Sequence, residues 1–162
     1  MSPTAFTIRT ARRDDAVAIL EMIQELADFE NEPDAVNASV ADIAEAGWGK
    51  APRFDALIAE DPNGAPLGFA LYYRTFSTWE GRHGIFVEDL YVKQAARGSG
   101  IGRALLAEVA KVTVSEGCIR LELNVLHWNP AREFYHAIGF RHLDEWMPYR
   151  LEAAGIKKLA TT

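Results

Sequence analysis

One cysteine, Cys118, occurs among 162 residues, so an internal disulfide is excluded. It lies between Gly117 and an apolar run and reads as a small buried hydrophobe. A nucleophilic thiol needs a partner and an electropositive setting, and neither is visible nearby in the sequence. The four histidines, His83, His127, His136 and His142, are scattered, and no His/Cys spacing suits a metal. No apolar run approaches the roughly 18 residues needed to span a bilayer. The stretch Met1-Ser2-Pro3-Thr4-Ala5-Phe6 lacks a basic segment followed by an apolar one, so no signal peptide is expected. Positive charge is also short: 17 Lys and Arg stand against 23 Asp and Glu, for a net charge of −6. That argues against broad nucleic-acid binding, which needs a basic footprint, and is compatible with a cationic small substrate. What is present is ordinary. With 49% hydrophobic and 25% charged residues, the chain can bury a sizeable core. Its length suits one domain, 1–162, with no linker or internal repeat.

The patterning alternates between periods of 2 and 3.6. Phe6-Thr7-Ile8-Arg9-Thr10 reads as a first strand. Asp14 or Asp15 caps a helix whose apolar stripe, Ala16, Ile19, Leu20, Ile23, Leu26 and Ala27, runs to about Asn31. An acid cluster, Asp28, Glu30, Glu32 and Asp34, surrounds the break at Pro33; a solvated helix end explains it as well as a site does. Ser39 and Asp42 form a capping box for a short helix ending at Gly47. Strands are expected at 54–60 and 67–76, joined by the turn Asp61-Pro62-Asn63-Gly64, and at 84–92. A helix follows to about Glu116, closed by Gly117. Arg120 to Val125 alternates as a strand. Asn129-Pro130 opens a helix burying Ala131, Phe134, Tyr135 and Ile138. A last strand is expected at 146–151, before a basic tail with Lys157 and Lys158.

The chemistry concentrates in residues 88–106. The apolar strand carries two acids, Glu88 and Asp89, and is followed by Arg97-Gly98-Ser99-Gly100-Ile101-Gly102-Arg103. A glycine turn at a helix start presents backbone N–H groups without helical partners, where the helix dipole adds positive potential, so it suits a phosphate or pyrophosphate. A dinucleotide fingerprint would follow the first strand, and no Lys-Ser/Thr completes a P-loop. Glu88 admits two readings from the residues alone: a carboxylate that accepts a proton from an amine, or a structural ion pair with an arginine. On a regular strand Asp89 points to the opposite face; a bulge would change that.

Arg97, Gly100 and Gly102 fill the defined positions of an Arg/Gln-x-x-Gly-x-Gly/Ala motif, and the turn resembles the acyl-CoA signature of the GNAT superfamily of N-acetyltransferases. A closer resemblance, over about residues 25–140, is to its diamine, polyamine and thialysine acetyltransferase branch. It rests on Glu25-Leu26-Ala27-Asp28-Phe29-Glu30, Gly68-Phe69-Ala70-Leu71-Tyr72-Tyr73, Val87-Glu88-Asp89-Leu90-Tyr91-Val92, the glycine turn, Trp128-Asn129 and Phe134-Tyr135. The resemblance implies an α/β fold: a central mixed sheet of about six to seven strands flanked by helices, with the fourth and fifth strands splayed apart. It implies acetyl-CoA as cosubstrate and no metal. The cosubstrate would meet Leu90, Tyr91 and Val92, the turn from Arg97 through Gly98, Ser99, Gly100, Ile101 and Gly102 to Arg103, and Asn129 and Tyr135. Tyr135 would supply a proton to the leaving thiolate; a core tyrosine is the competing reading. Glu88 would be the base, and Phe29, Glu30, Glu88, Asp89 and Trp146 would line the amine pocket. A small-molecule amine partner, a homodimer, a cytoplasmic location and no nucleic-acid or membrane partner are expected. Acetylation of another amine, a CoA-binding module without catalysis, and more remotely a nucleotide-binding module are the alternatives.

Overall fold

A computed structural model of the chain describes residues 5–161. Part of the N-terminal stretch read for a signal peptide, residues 1–4, lies outside them. The described residues fall into two compact units that divide after Asn124.

The first unit is built on a mixed sheet of five strands whose spatial order is their chain order. The strands are β1 (Thr7–Thr10), β2 (Asp55–Glu60), β3 (Pro66–Ser77), β4 (Arg82–Val92) and β5 (Leu121–Leu123). The first four pair antiparallel, and β4 pairs with β5 in parallel. The chain reaches β5 by crossing over through α3 (Ile101–Ser115). Two further helices, α1 (Ala16–Phe29) and α2 (Val40–Trp48), fill the β1–β2 connection. The capping box at Ser39 is present: its hydroxyl accepts from the Asp42 N–H at 3.2 Å while the Asp42 carboxylate accepts from the Ser39 N–H at 2.8 Å. The turn at Asp61 forms as read, with Asp61 Oδ1 accepting from the N–H groups of Asn63 and Ala65, both at 2.8 Å.

Alternation along the strands divides the sheet between two helices. Ala56, Ile58, Phe69, Leu71 and Tyr91 bury against Ile19 and Met22 of α1. The other face packs on α3, whose Ile101, Leu105, Leu106 and Val109 are buried. Full burial of side chains such as Phe69, Ile58 or Leu105 stabilises by roughly 1.5–3 kcal/mol each.

Pairing between β3 and β4 shifts by one residue. Leu71 faces Asp89, but Tyr72 faces Val87, so Glu88 is the extra residue of a β-bulge. The bulge returns Ile85 and Val87 to the α3 face while leaving Asp89 and Tyr91 on the α1 face. The β4–β5 pairing ends at Val87 opposite Leu123. From Glu88 onward β4 has no partner strand on that side among the described residues, as the expected splay requires.

The second unit carries α4 (Ala131–Ala137) and α5 (Ala153–Leu159). Four expectations are corrected here. The sheet has five strands rather than six to seven, because residues 146–151 form no strand. Pro148 offers no N–H to a ladder, and the Trp146 N–H instead closes a turn on the Leu143 carbonyl at 3.2 Å. The expected basic tail is the helix α5. Ala131, Phe134, Tyr135 and Ile138 of the α4 segment are half-buried rather than buried, and Cys118 is half-exposed rather than buried.

Candidate active site

Three carboxylates gather where the bulge meets the end of α1. Asp89 shares the α1 face with Leu71 and Tyr91. Burial is the main reason its carboxyl is pushed up to about 6; the charges of Glu88 and Glu30 add to the shift. Glu30, which caps α1, is itself raised by burial. Glu88 projects from the bulge and is exposed. Among the described residues no arginine pairs with it, which removes the structural ion-pair reading. Its neighbour is the Tyr73 hydroxyl, which burial raises first and Glu88 raises further by charge and hydrogen bonding. Tyr73, stacked on Phe86 at 5.4 Å, was not singled out from the sequence. Its pairing opposite Phe86, two residues from the acids, depends on the bulge, which periodicity does not reveal.

The glycine turn lies at the end of the same strand. Gly98 and Gly100 adopt φ of 79° and 87°, the left-handed region. Gly100 caps α3, and a Cβ built there meets nothing within 4 Å. The helical ladder begins with the Ala104 N–H donating to the Gly100 carbonyl at 3.0 Å. The N–H groups of Ile101, Gly102 and Arg103 therefore precede the first helical bond and remain for an anion. Ser99 Oγ donates to the Ala96 carbonyl at 2.5 Å, which tightens the turn from within. Leu90 to Val92 lie on the edge of β4 that lost its partner. This arrangement fits an acyl-CoA: N–H donors for a pyrophosphate, then an unpaired strand edge for an extended chain.

Arg97 turns back towards α1. Its Nε donates to the Val92 carbonyl at 3.0 Å, and its guanidinium lies over the Phe29 ring at 4.8 Å from the centroid. The structure thus brings Phe29, Glu30, Glu88, Asp89, Tyr91, Arg97 and the turn together in one unit. Asn129, Tyr135 and Trp146 belong to the second unit. There Asn129, one residue before Pro130, the N-cap of α4, is buried, and its Oδ1 accepts from the Ala131 N–H at 2.9 Å. Tyr135 packs edge-on against Phe140, with centroids 5.7 Å apart. Trp146 is 67% exposed. Among the described residues no group of three metal-ligating side chains occurs, and no helix is long and apolar enough to cross a membrane.

The fold is a mixed sheet that loses a strand partner beside a bulge, with an anion-binding turn at the strand end. The model of the acetyltransferase (GNAT) family matches residues 19–140, and the chain belongs to that family. It is an N-acetyltransferase. It is 39% identical over 164 positions to the thialysine N-epsilon-acetyltransferase of Bos taurus, covering 94% of this chain and 96% of that protein. It is 38% identical to the Homo sapiens spermidine/spermine N(1)-acetyltransferase-like protein 1, covering 96% of this chain and 24% of that longer protein. Among solved structures, an integron cassette protein from the mobile metagenome of V. cholerae superposes with a TM-score of 0.81 at 27% identity, covering 97% of this chain and 98% of that one.

Proposed function

We propose that the chain, acting as one domain over 1–162, transfers the acetyl group of acetyl-CoA to a primary amine of a small diamine, polyamine or thialysine-like substrate. Amine and cosubstrate are bound together, and transfer is direct. The observation that carries this reading is the meeting of Glu30, Glu88 and Asp89 beside the glycine turn. Such a carboxylate group favours a cationic amine, and the likeness to the thialysine and spermidine/spermine relatives supports the same class.

A lysine-like amine has a pKa near 10.4 and is mostly protonated at pH 7. Glu88, exposed on the bulge and unpaired with any arginine, accepts the proton directly or through water. Asp89 and Glu30 hold the cation. The unpaired β4 edge at Leu90 to Val92 polarises the thioester carbonyl. The amides of the Arg97–Arg103 turn hold the pyrophosphate, and Asn129 meets the pantetheine arm. Tyr135 donates a proton to the thiolate as the C–S bond breaks and the C–N bond forms. The enzyme works as a cytoplasmic homodimer; sedimentation giving a monomer at micromolar concentration would remove the dimer.

The test is an acetyl-CoA turnover screen over putrescine, spermidine, thialysine, lysine and an aminoglycoside. Thialysine or a polyamine is expected to give the highest kcat/KM. Glu88→Gln and Tyr135→Phe are each expected to lower kcat about 100-fold while acetyl-CoA still binds. Preference for the aminoglycoside, or an unchanged rate for Glu88→Gln across pH 6 to 9, would overturn the substrate class or the base.

A further inference from the structure

The Arg97 side chain opens the phosphate turn, yet its recorded partners lie on α1 and β4. Besides the Val92 carbonyl and the Phe29 ring, the guanidinium lies over the Tyr91 ring, 5.5 Å from its centroid. Burial first and the Glu25 carboxylate second raise the Tyr91 hydroxyl, and Lys93 Nζ reaches Glu25 Oε1 at 3.3 Å. These groups surround a cavity of about 460 Å³ lined by Glu25, Asp28, Phe29, Tyr91, Gln94 and Arg97. The local charge explains the arrangement. The last turn of α1 carries acids and no base, and its terminal carbonyls add negative potential. Left uncompensated, that potential would stand next to a pyrophosphate site. An arginine stacked between two rings supplies the compensation and fixes the backbone at Val92.

We infer that Arg97 is a positioning residue and not a phosphate ligand: its side chain clasps the end of α1 to the end of β4 and so holds the glycine turn in its receiving shape. The inference rests on the acetyl-CoA reading above. It also moves Phe29 from the amine wall to the cosubstrate side, because the ring is half of the clasp.

The experiment measures the acetyl-CoA Kd by calorimetry for the wild type, Arg97→Met, Phe29→Leu, Phe29→Tyr and the Arg97→Met/Phe29→Leu double variant. Arg97→Met and Phe29→Leu are each expected to weaken binding about tenfold. The double variant should be no more than about twofold worse than Arg97→Met, since both substitutions open one clasp. Phe29→Tyr keeps the ring and should bind like the wild type. An unaltered Kd for Phe29→Leu, or losses that multiply in the double variant, would overturn the clasp and leave Arg97 a direct phosphate ligand. Should Phe29→Leu fail to fold, Tyr91→Phe takes its place. It removes the hydroxyl whose titration both Glu25 and Arg97 influence, and the same non-additivity with Arg97→Met decides the matter. Wild-type protein that binds no acetyl-CoA overturns the inference and the reading beneath it. Wild-type protein that binds acetyl-CoA but acetylates no amine overturns only the amine transfer, and the Kd comparison still decides the clasp.

Discussion

Glu88 and Asp89 are adjacent in the chain and differ only by a methylene, but their surroundings separate their tasks. Glu88 stands out on the bulge, whereas Asp89 turns inward towards Glu30, and burial holds its carboxyl up to about 6. The sign of the effect on stability follows. A carboxyl whose folded pKa lies above its ordinary value of 3.8 binds more protons when folded, so its contribution is most favourable below about pH 4 and is lost as pH rises to about 6. Asp89→Asn is therefore expected to stabilise the ligand-free protein at pH 7. Its advantage over wild type should grow by about 2–3 kcal/mol between pH 4 and pH 7, as read by urea unfolding. An advantage independent of pH would show that the Asp89 carboxyl is not raised above its ordinary value. The sequence singles out both acids within an apolar strand, but it does not show which of them faces inward. Which acid is buried depends on one inserted residue, and period-2 patterning carries no sign of it. The helix start at Asn129-Pro130 was legible to within one residue, because a helix start acts on its own neighbours and needs no distant partner.

Among the elements, the glycine turn was the most legible. Left-handed positions demand glycine through backbone sterics alone, and a helix start needs no tertiary information. Gly64 and Gly100 offer a controlled comparison. Their φ values are 85° and 87°, and a Cβ at either meets nothing within 4 Å. Alanine at each position should cost about 1 kcal/mol of stability through backbone strain. Only Gly100→Ala should also raise the acetyl-CoA KM, because Gly64 lies in a plain hairpin turn. Equal KM values for the two variants would argue against the turn as the phosphate cradle. The 146–151 stretch shows the opposite case. Its apolar residues suggested a strand, but a strand exists only when a partner supplies the ladder, and the stretch carries a proline that withholds one of its own donors. The crossing of α1 and β4 at Phe29, Tyr91 and Arg97 was equally invisible, since Phe29 lies more than sixty positions from the other two in the chain.

The order of the strands in space has a consequence for how the molecule comes into being. Because β1 to β4 lie side by side in chain order, the β2–β3 and β3–β4 pairs can close through short turns, at Asp61–Gly64 and around Ser77–Gly81, with little loss of loop entropy. Strand β5 is different: it can dock only after α3 has carried the chain back across the sheet, and it contributes three residues when it arrives. Assembly is therefore expected to run from the β2–β3–β4 meander outward, with β5 last. Pulse-labelled hydrogen exchange during refolding should show amides of β2 and β3 protected before those of Leu121 to Leu123; simultaneous protection would contradict that sequence of events. The edge of β4 beyond Glu88, which pairs with no strand among the described residues, is on this account a region the nascent sheet never needed to cover.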